Sequence, residues 1–514
     1  MVISRLLFGR GEPSSIFEYI DAHVRPGVPG LTEGGDDLPD ESAATRGDLA
    51  VAAGVAGTVA TEDDLEAVEQ IYRALAALAR KPSQPHRKRV RELFREGRVR
   101  ARIDPLRDRL SAESPPNAVE LYPELKELFL RSGYRDEVKY AIALLAGFGR
   151  PEDADPLRVI ARHDEFTMYA AVALASVTPD PVEEWLGLLE HVSDAGRTEL
   201  SELILREPRS QAVRKRLVRD GLGQGNAMTL ARGCRLDEIL AHGTIDVAVL
   251  AGARAILDEL VLEPSPPYAL TAYERAGPAV EGLVRHIGER PQGAAEYLTC
   301  FWLRNLLLRT ELAAEFEACG LDGDRRARVV AACGAVLDDA SWGERAAAAL
   351  QSDDALERWR GMEVAEHLGA DLHSYVLEKL PVYPYDHDLW ARLVVGAEEE
   401  RVREAAELAG ALWDFGDIAR GPALDLSGDG PLDAVGPILR ELVRYPGVGG
   451  ALLEASLQSP IIGNRLMALI ALSHWESIPP GILERVARAR ERDPDPGVRE
   501  HAAAVLSGDP IPEG

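Results

Sequence analysis

The sequence predicts an all-α chain, an α-solenoid of antiparallel helix pairs behind an irregular N-terminal segment. Three observations predict it. The 514 residues are 46% hydrophobic but only 6% aromatic, and alanine and leucine recur throughout; both favour helices and neither is β-branched. Asp-Pro recurs as punctuation, at Asp104-Pro105, Asp155-Pro156, Asp180-Pro181 and Asp495-Pro496. A helical stripe with alanine at its centre returns several times. The length exceeds what one compact core holds, so an array or several domains is expected. A charged fraction of 28% belongs to a folded chain, not a disordered one.

Residues 1–60 form the irregular segment. "EPSSIFEYIDAHVRPG" predicts one short helix capped by Ser14 or Ser15, because a serine hydroxyl accepts the free N–H groups of a first turn. "VPGLTEGGDDLPDESAATRGD" reads as a polar loop, and "LAVAAGVAGTVA" is small, apolar and ambiguous in type. Residues 61–115 form a helical region. Thr61 and Asp64 can cap "EDDLEAVEQIYRALAALAR", and the strongly basic "RKPSQPHRKRVRELFREGRVRARIDPLRDR" follows, from Arg80 to Arg109. Residues 116–514 read as helix, short break, helix. An Asp side chain before Pro accepts the orphan N–H groups of a helix start, and Pro in the first turn has no N–H to lose. Asp180-Pro181 also carries Glu183 at the third helical position. The proline-rich "LEPSPPYALT" (262–271) and "PVYPYDHD" (381–388) are candidate joints, expected either to bend the array or to separate two blocks.

"FTMYAAVALASV" (Phe166 to Val177) aligns with "VREHAAAVLSGD" (Val498 to Asp509) without gaps. Ala170 and Ala171 fall on Ala502 and Ala503, and Leu174 falls on Leu506. "NRLMALIALSHW" fits the same frame, with Arg465 on Arg499 and Leu472 on Leu506. In "RGMEVAEHLGAD" Val364, Ala365, Leu368 and Gly369 take the equivalent places, and "EVKYAIALLAGFG" and "RVREAAELAG" are partial copies. The apolar positions form one helical stripe with small residues at its centre, which lets neighbouring helices approach closely. The offset between the copies at Asn464 and Val498 is one helical hairpin. Residues 195–350 are helical without the motif.

The pattern Asp-x-x-Val-Arg-x-x-Ala-Ala-x-x-Leu at Asp495, Val498, Arg499, Ala502, Ala503 and Leu506 resembles the HEAT-like repeats, particularly the phycobilisome-lyase type. Thr167 stands where the arginine is expected, and Asn464 where the valine is. The resemblance implies a right-handed superhelix of antiparallel helix pairs and no particular reaction, because such repeats serve scaffolds and enzymes alike.

The formal charge is −27. An envelope this acidic repels phosphate backbones, which disfavours general nucleic-acid binding and attachment to anionic membranes. Cys234, Cys300, Cys319 and Cys333 form no C-x-x-C pair and lie among apolar neighbours; they read as buried thiols in a reducing compartment. The N-terminal apolar run is too short for a signal peptide, and no apolar run reaches membrane-spanning length. The expected location is cytoplasmic.

No residue is assigned a catalytic or cofactor-binding role. The nearest approach to a metal site is a calcium-like spacing of Asp425, Ser427, Asp429 and Asp433, but the closing glutamate position holds Gly436. Histidines stand beside acids at His163-Asp164, His387-Asp388, Glu190-His191, Glu366-His367 and Glu500-His501. The repeated His-Glu order that a di-iron site on such repeats requires is missing. "GLGQGN" follows a helix and lacks the Lys-Ser/Thr of a phosphate loop. The basic stretch is the clearest functional candidate: Arg87, Lys88, Arg89 and Arg91 are expected either to dock an acidic protein, phosphate or RNA, or to form a solvated helical face that neutralises the chain's own acidic repeats. Trp342, Trp359, Trp390 and Trp413 are the candidate aromatic anchors, although most tryptophans in such arrays are core. The expected function is a cytosolic protein-interaction scaffold for another protein or a peptide. The alternative is an enzyme, of lyase or nucleic-acid repair type, with a pocket built on the same array.

Overall fold

Ser15 opens the first helix by accepting from the Glu18 N–H, and Thr61 and Asp64 cap each other reciprocally at the second. The computed structural model describes residues 13–32, 34–40, 60–266, 268–290, 293–426 and 428–512. Twenty-eight α-helices and no strand occur among them. The ambiguous apolar segment falls almost wholly outside the described residues. The first ten helices are α1 (Ile16–His23), α2 (Glu62–Arg80), α3 (Gln84–Phe94), α4 (Val99–Ala112), α5 (Leu121–Arg131), α6 (Arg135–Leu145), α7 (Ala154–Ile160), α8 (Asp164–Val177), α9 (Pro181–Leu188) and α10 (Asp194–Leu205).

The Asp-Pro expectation holds at two places and fails at two. Asp180 and Asp495 are helix N-caps, accepting from the Glu183 and Val498 N–H groups. Pro105 instead lies inside α4, and α7 begins at Ala154, one residue before Asp155. Both failures have the same origin: a proline is tolerated wherever its missing N–H and its ring are accommodated, so it does not mark a start by itself.

The chain divides into two compact units, residues 1–292 with 296–339, and 293–295 with 340–514. In the first unit helices pack on those one or two places along the chain: α2 on α3 and α4, α4 on α6, α6 on α8, α8 on α10, and α5 on α6. In the second unit the helix His387–Val394 packs on Pro431–Leu442, that one on Ile462–Ser473, and that one on Pro496–Ser507. Segments 262–271 and 381–388 each lie within a unit.

The small residues of the repeat frame are packed. Ala170, Ala171, Ala468 and Ala502 are fully buried, whereas Ala503 and Leu506, on the last helix of the chain, are half-exposed. Between residues 195 and 350 glycine takes over this task. A Cβ on Gly252 would lie 2.0 Å from the Val218 carbonyl oxygen, and one on Gly277 would lie 2.0 Å from that of Gly320.

The frame arginine has a definite job. Arg465 Nη1 donates to the carbonyls of Ser459 and Pro460, at 2.8 and 2.9 Å. Arg499 Nη1 does the same to Asp493 and Pro494, at 2.6 and 3.1 Å. Arg358 repeats it on Ser352 and Asp353, at 3.2 and 2.8 Å. Each arginine thus ties down the turn before its own helix, and the Thr167 hydroxyl reaches the equivalent Ala161 carbonyl at 2.8 Å. This corrects the alignment of "RGMEVAEHLGAD". The true counterpart of Arg499 is Arg358, four residues after its capping Asp354 as Arg499 is after Asp495, so that copy is displaced by three residues. A three-residue shift turns a helix by only about 60° from its starting face, so an apolar stripe alone does not fix the register.

Residues 13–40 are anchored along α5 to α10. The Ile16 N–H donates to the Ser132 carbonyl at 2.9 Å, and Ser15 Oγ to that of Leu130 at 2.8 Å. Asp40 accepts from the Arg135 backbone N–H at 2.9 Å and from its guanidinium. The Gly30 N–H donates to the His191 carbonyl at 2.8 Å.

Candidate basic cleft on α2, α3 and α5

Helix α3 carries Val90, Leu93 and Phe94 into the core. Arg87 and Arg91 lie four apart on one helical face, with Arg95 four further on at the C-cap. Arg87 forms a fork with Glu124, Nε to Oε2 and Nη2 to Oε1 both at 2.6 Å. Arg91 Nε lies 3.1 Å from both oxygens of Glu137, and Arg95 contacts the same carboxylate. Glu137 is completely buried and also accepts from Ser132 Oγ at 2.6 Å. The Arg95 guanidinium covers the Tyr134 ring, 3.6 Å from its centre.

Three further arginines of the run behave alike. Arg98 Nη2 and Arg102 Nε reach Asp64, at 2.7 and 3.0 Å. The Asp64 carboxyl is held far below the usual range, first by the Arg98 hydrogen bond and then by the Thr61 N–H. Arg109 pairs with Glu69 at 2.9 Å and covers the Tyr72 ring. Much of the basic run is therefore answered inside the fold, since these arginines bolt α3 and α4 to their neighbours.

The four candidate docking residues separate accordingly. Arg87 and Arg91 are engaged with Glu124 and Glu137. Lys88 and Arg89 keep 80% and 52% of their side chains exposed, and their nearest carboxylate, Glu92, is 3.8 Å from each. Arg87, Lys88 and Arg91 line a cleft of about 320 Å³ together with Arg95, and buried Leu78, Val90 and Leu128 supply its apolar lining. Arg89 is not part of that lining. Glu92, Glu124 and Glu127 line the cleft as well. With Arg87, Arg91 and Arg95 taken up by Glu124 and Glu137, Lys88 is the cation of the lining left mostly exposed. An apolar lining beside such a cation suits a segment carrying a carboxylate next to an apolar side chain.

Compared with protein-family models, curated proteins and solved structures, the chain matches none.

The other candidates fall elsewhere. Trp342, Trp390 and Trp413 are buried, and only Trp359 keeps part of its surface. Trp390 and Trp413 meet edge to face and both donate to the Pro384 carbonyl at 2.8 Å, so they secure the 381–388 segment and are not docking anchors. Of the calcium-like set, Ser427 lies outside the described residues. The Asp425 carbonyl accepts from the Ile462 N–H at 2.9 Å, and Asp433 Oδ2 is 3.5 Å from His387 Nδ1. Among the described residues no three His, Cys, Asp or Glu side chains gather as a metal site. The glycines of "GLGQGN" join two helices, and Asn226 ties the turn by bonding to both Gly221 and Gly223.

Sequence reasoning missed a row of ionisable groups on α4, α6, α8 and α10. Arg100 Nη2 pairs with Glu199 Oε1 at 2.6 Å, and Lys139 contacts Glu165. Burial pushes the carboxyls of Glu199 and Asp136 above their usual values, while for Glu165 the Lys139 and Arg135 charges outweigh burial and lower it. The signal was too diffuse to find, because these residues come from four helices with no shared motif. No helix among the described residues is long and apolar enough to cross a membrane.

Proposed function

We propose that this chain is a cytosolic protein-interaction scaffold, an α-solenoid of HEAT-like helix pairs that docks an acidic peptide or protein segment at the cleft between α2, α3 and α5. The observation that carries this reading is the pairing of a buried apolar lining, Leu78, Val90 and Leu128, with the exposed Lys88, against which stand Glu92 and Glu127 of the same lining. Support for the array comes from the packing of each helix on near neighbours in sequence, the arrangement from which extended surfaces are built.

The test is anisotropy of labelled peptides rich in Asp and Glu that carry one leucine, at low and at high salt. Alanine at Arg87 would orphan Glu124, and at Arg91 would leave buried Glu137 to Arg95 and Ser132. The informative variant is therefore Lys88→Glu, with Arg89→Glu, outside the cleft lining, as its comparison. Binding that weakens in high salt, and more in Lys88→Glu than in Arg89→Glu, supports the reading. Binding that is absent, or that Lys88→Glu weakens no more than Arg89→Glu does, sinks it.

A further inference from the structure

His163 sits where the N-terminal strap, residues 13–40, meets the start of α8. It is 5% exposed. Its Nδ1 accepts the Glu165 backbone N–H at 3.1 Å, which makes it the side-chain cap of α8. A backbone N–H can only donate, so Nδ1 carries no proton and the neutral ring holds its proton on Nε2. Nε2 lies 3.2 Å from the Asp36 carbonyl oxygen, to which it donates. One neutral tautomer thus closes two contacts, the cap of α8 and the middle of the strap.

We propose that residues 13–40 are a pH-gated strap: protonating His163 uncaps α8 and releases Asp36, which frees the segment from the face of α5 to α10. A second proton must go on Nδ1, where it points at the Glu165 N–H and turns an acceptor into a donor. The resulting charge is buried and gains no new acceptor there, so the ring leaves for water and takes Nε2 away from Asp36. The charged groups around the ring are Asp36 on the strap and Asp164 and Glu165 on α8. Glu165 is already engaged by Lys139 and Arg135 of α6, and Arg135 also holds Asp40. The ring of Phe166 lies 5.6 Å away and brings no charge.

The sign is fixed by burial, which lowers the His163 pKa below the ordinary imidazole value. The contribution to strap docking is complete above about pH 6.5 and is lost as pH falls from there through the lowered folded value. Release uncovers apolar surface: Ile16 and Ile20 are fully buried beneath α1, and Phe17 meets Phe129 of α5 edge to face. This inference rests on the strap's own contacts and is independent of the basic cleft.

Hydrogen exchange of the full chain, read by mass spectrometry and corrected for intrinsic rates, tests it. Acidification to about one pH unit or more below 6.5 is expected to speed exchange by up to about tenfold, and by more at lower pH, in peptides covering Ile16, Gly30, Thr32 and Glu165 together, while α6 stays protected. His163→Gln keeps an N–H donor for Asp36 without titrating, so its strap should stay protected over the same range. A wild-type strap that remains protected in acid overturns the proposal, and so does equal loss in His163→Gln. Should that variant not fold, Asp40→Asn weakens the Arg135 clamp without touching His163. Gating then requires opening to begin at higher pH than in the wild type, and an unmoved midpoint overturns it.

Discussion

Arg465 and Asp493 are both shielded completely from water, and the Arg465 Nη2 donates to Asp493 Oδ1 at 3.0 Å. The second contact of the pair, Nε to Oδ2 at 2.9 Å, is close in charge but out of line for a hydrogen bond. Arg465 also satisfies three carbonyls, those of Ser459, Pro460 and Ala423. Removing one partner leaves an uncompensated buried charge, so Arg465→Met or Asp493→Ala should each cost about 3–5 kcal/mol in urea unfolding. The double variant Arg465→Met, Asp493→Leu should recover part of that loss. Full additivity of the two single losses would show that the pair is not a unit.

Glycine substitutions separate close approach from helix propensity. Gly334 has open space where a Cβ would go, so Gly334→Ala should stabilise by about 0.5–1 kcal/mol through propensity alone. Gly252→Ala receives the same propensity gain but drives a methyl into the Val218 carbonyl. It should lower the melting temperature. A rise in both variants would remove the argument that these helices touch through their backbones.

Two carboxylates should move the pH dependence of stability in opposite directions. Asp64 is held below its unfolded value, so its contribution is complete above about pH 4 and disappears as pH falls further; Asp64→Asn should flatten the acid limb of the stability curve. Glu199 is raised by burial, so the folded chain holds its proton more tightly and stability drops as pH rises past the unfolded value of about 4.3. Glu199→Gln should therefore raise the melting temperature at neutral pH, with the gain vanishing in acid. Thermal scans across pH read both effects.

The four cysteines are free and buried, and burial pushes the Cys234 thiol up to about 12. A thiol-specific reagent at mildly alkaline pH should label none of them in the folded chain and all of them in denaturant. Rapid native labelling of Cys234 would contradict its packing.

Local signals were legible in the sequence and long-range ones were not. Ser15, Thr61 with Asp64, Asp180 and Asp495 cap helices as expected, because a cap is complete within four residues. The stripe around Ala170 and Ala468 was legible for a similar reason, since its period belongs to one helix. The basic run was visible as charge, but its partners Glu124 and Glu137 lie 37, 42 and 46 residues away in the pairs that form. Nothing in a one-dimensional pattern says which of Arg87, Lys88, Arg89 and Arg91 turns inward. The tryptophans could be read either as anchors or as core, because both share one composition; burial makes Trp342, Trp390 and Trp413 core, and the Pro384 carbonyl holds the last two.

The arginine ties also set a rule for how this chain can change length. Arg465 grips the turn five and six residues behind it and a carboxylate 28 residues ahead, and Arg358 reaches Asp386 over the same span of 28. A single inserted residue inside that interval pulls one grip out of step with the other. Gain or loss of an entire hairpin keeps both in step, so evolution of this chain is expected to proceed by whole-unit duplication and deletion, with small insertions confined to the stretches that no arginine spans.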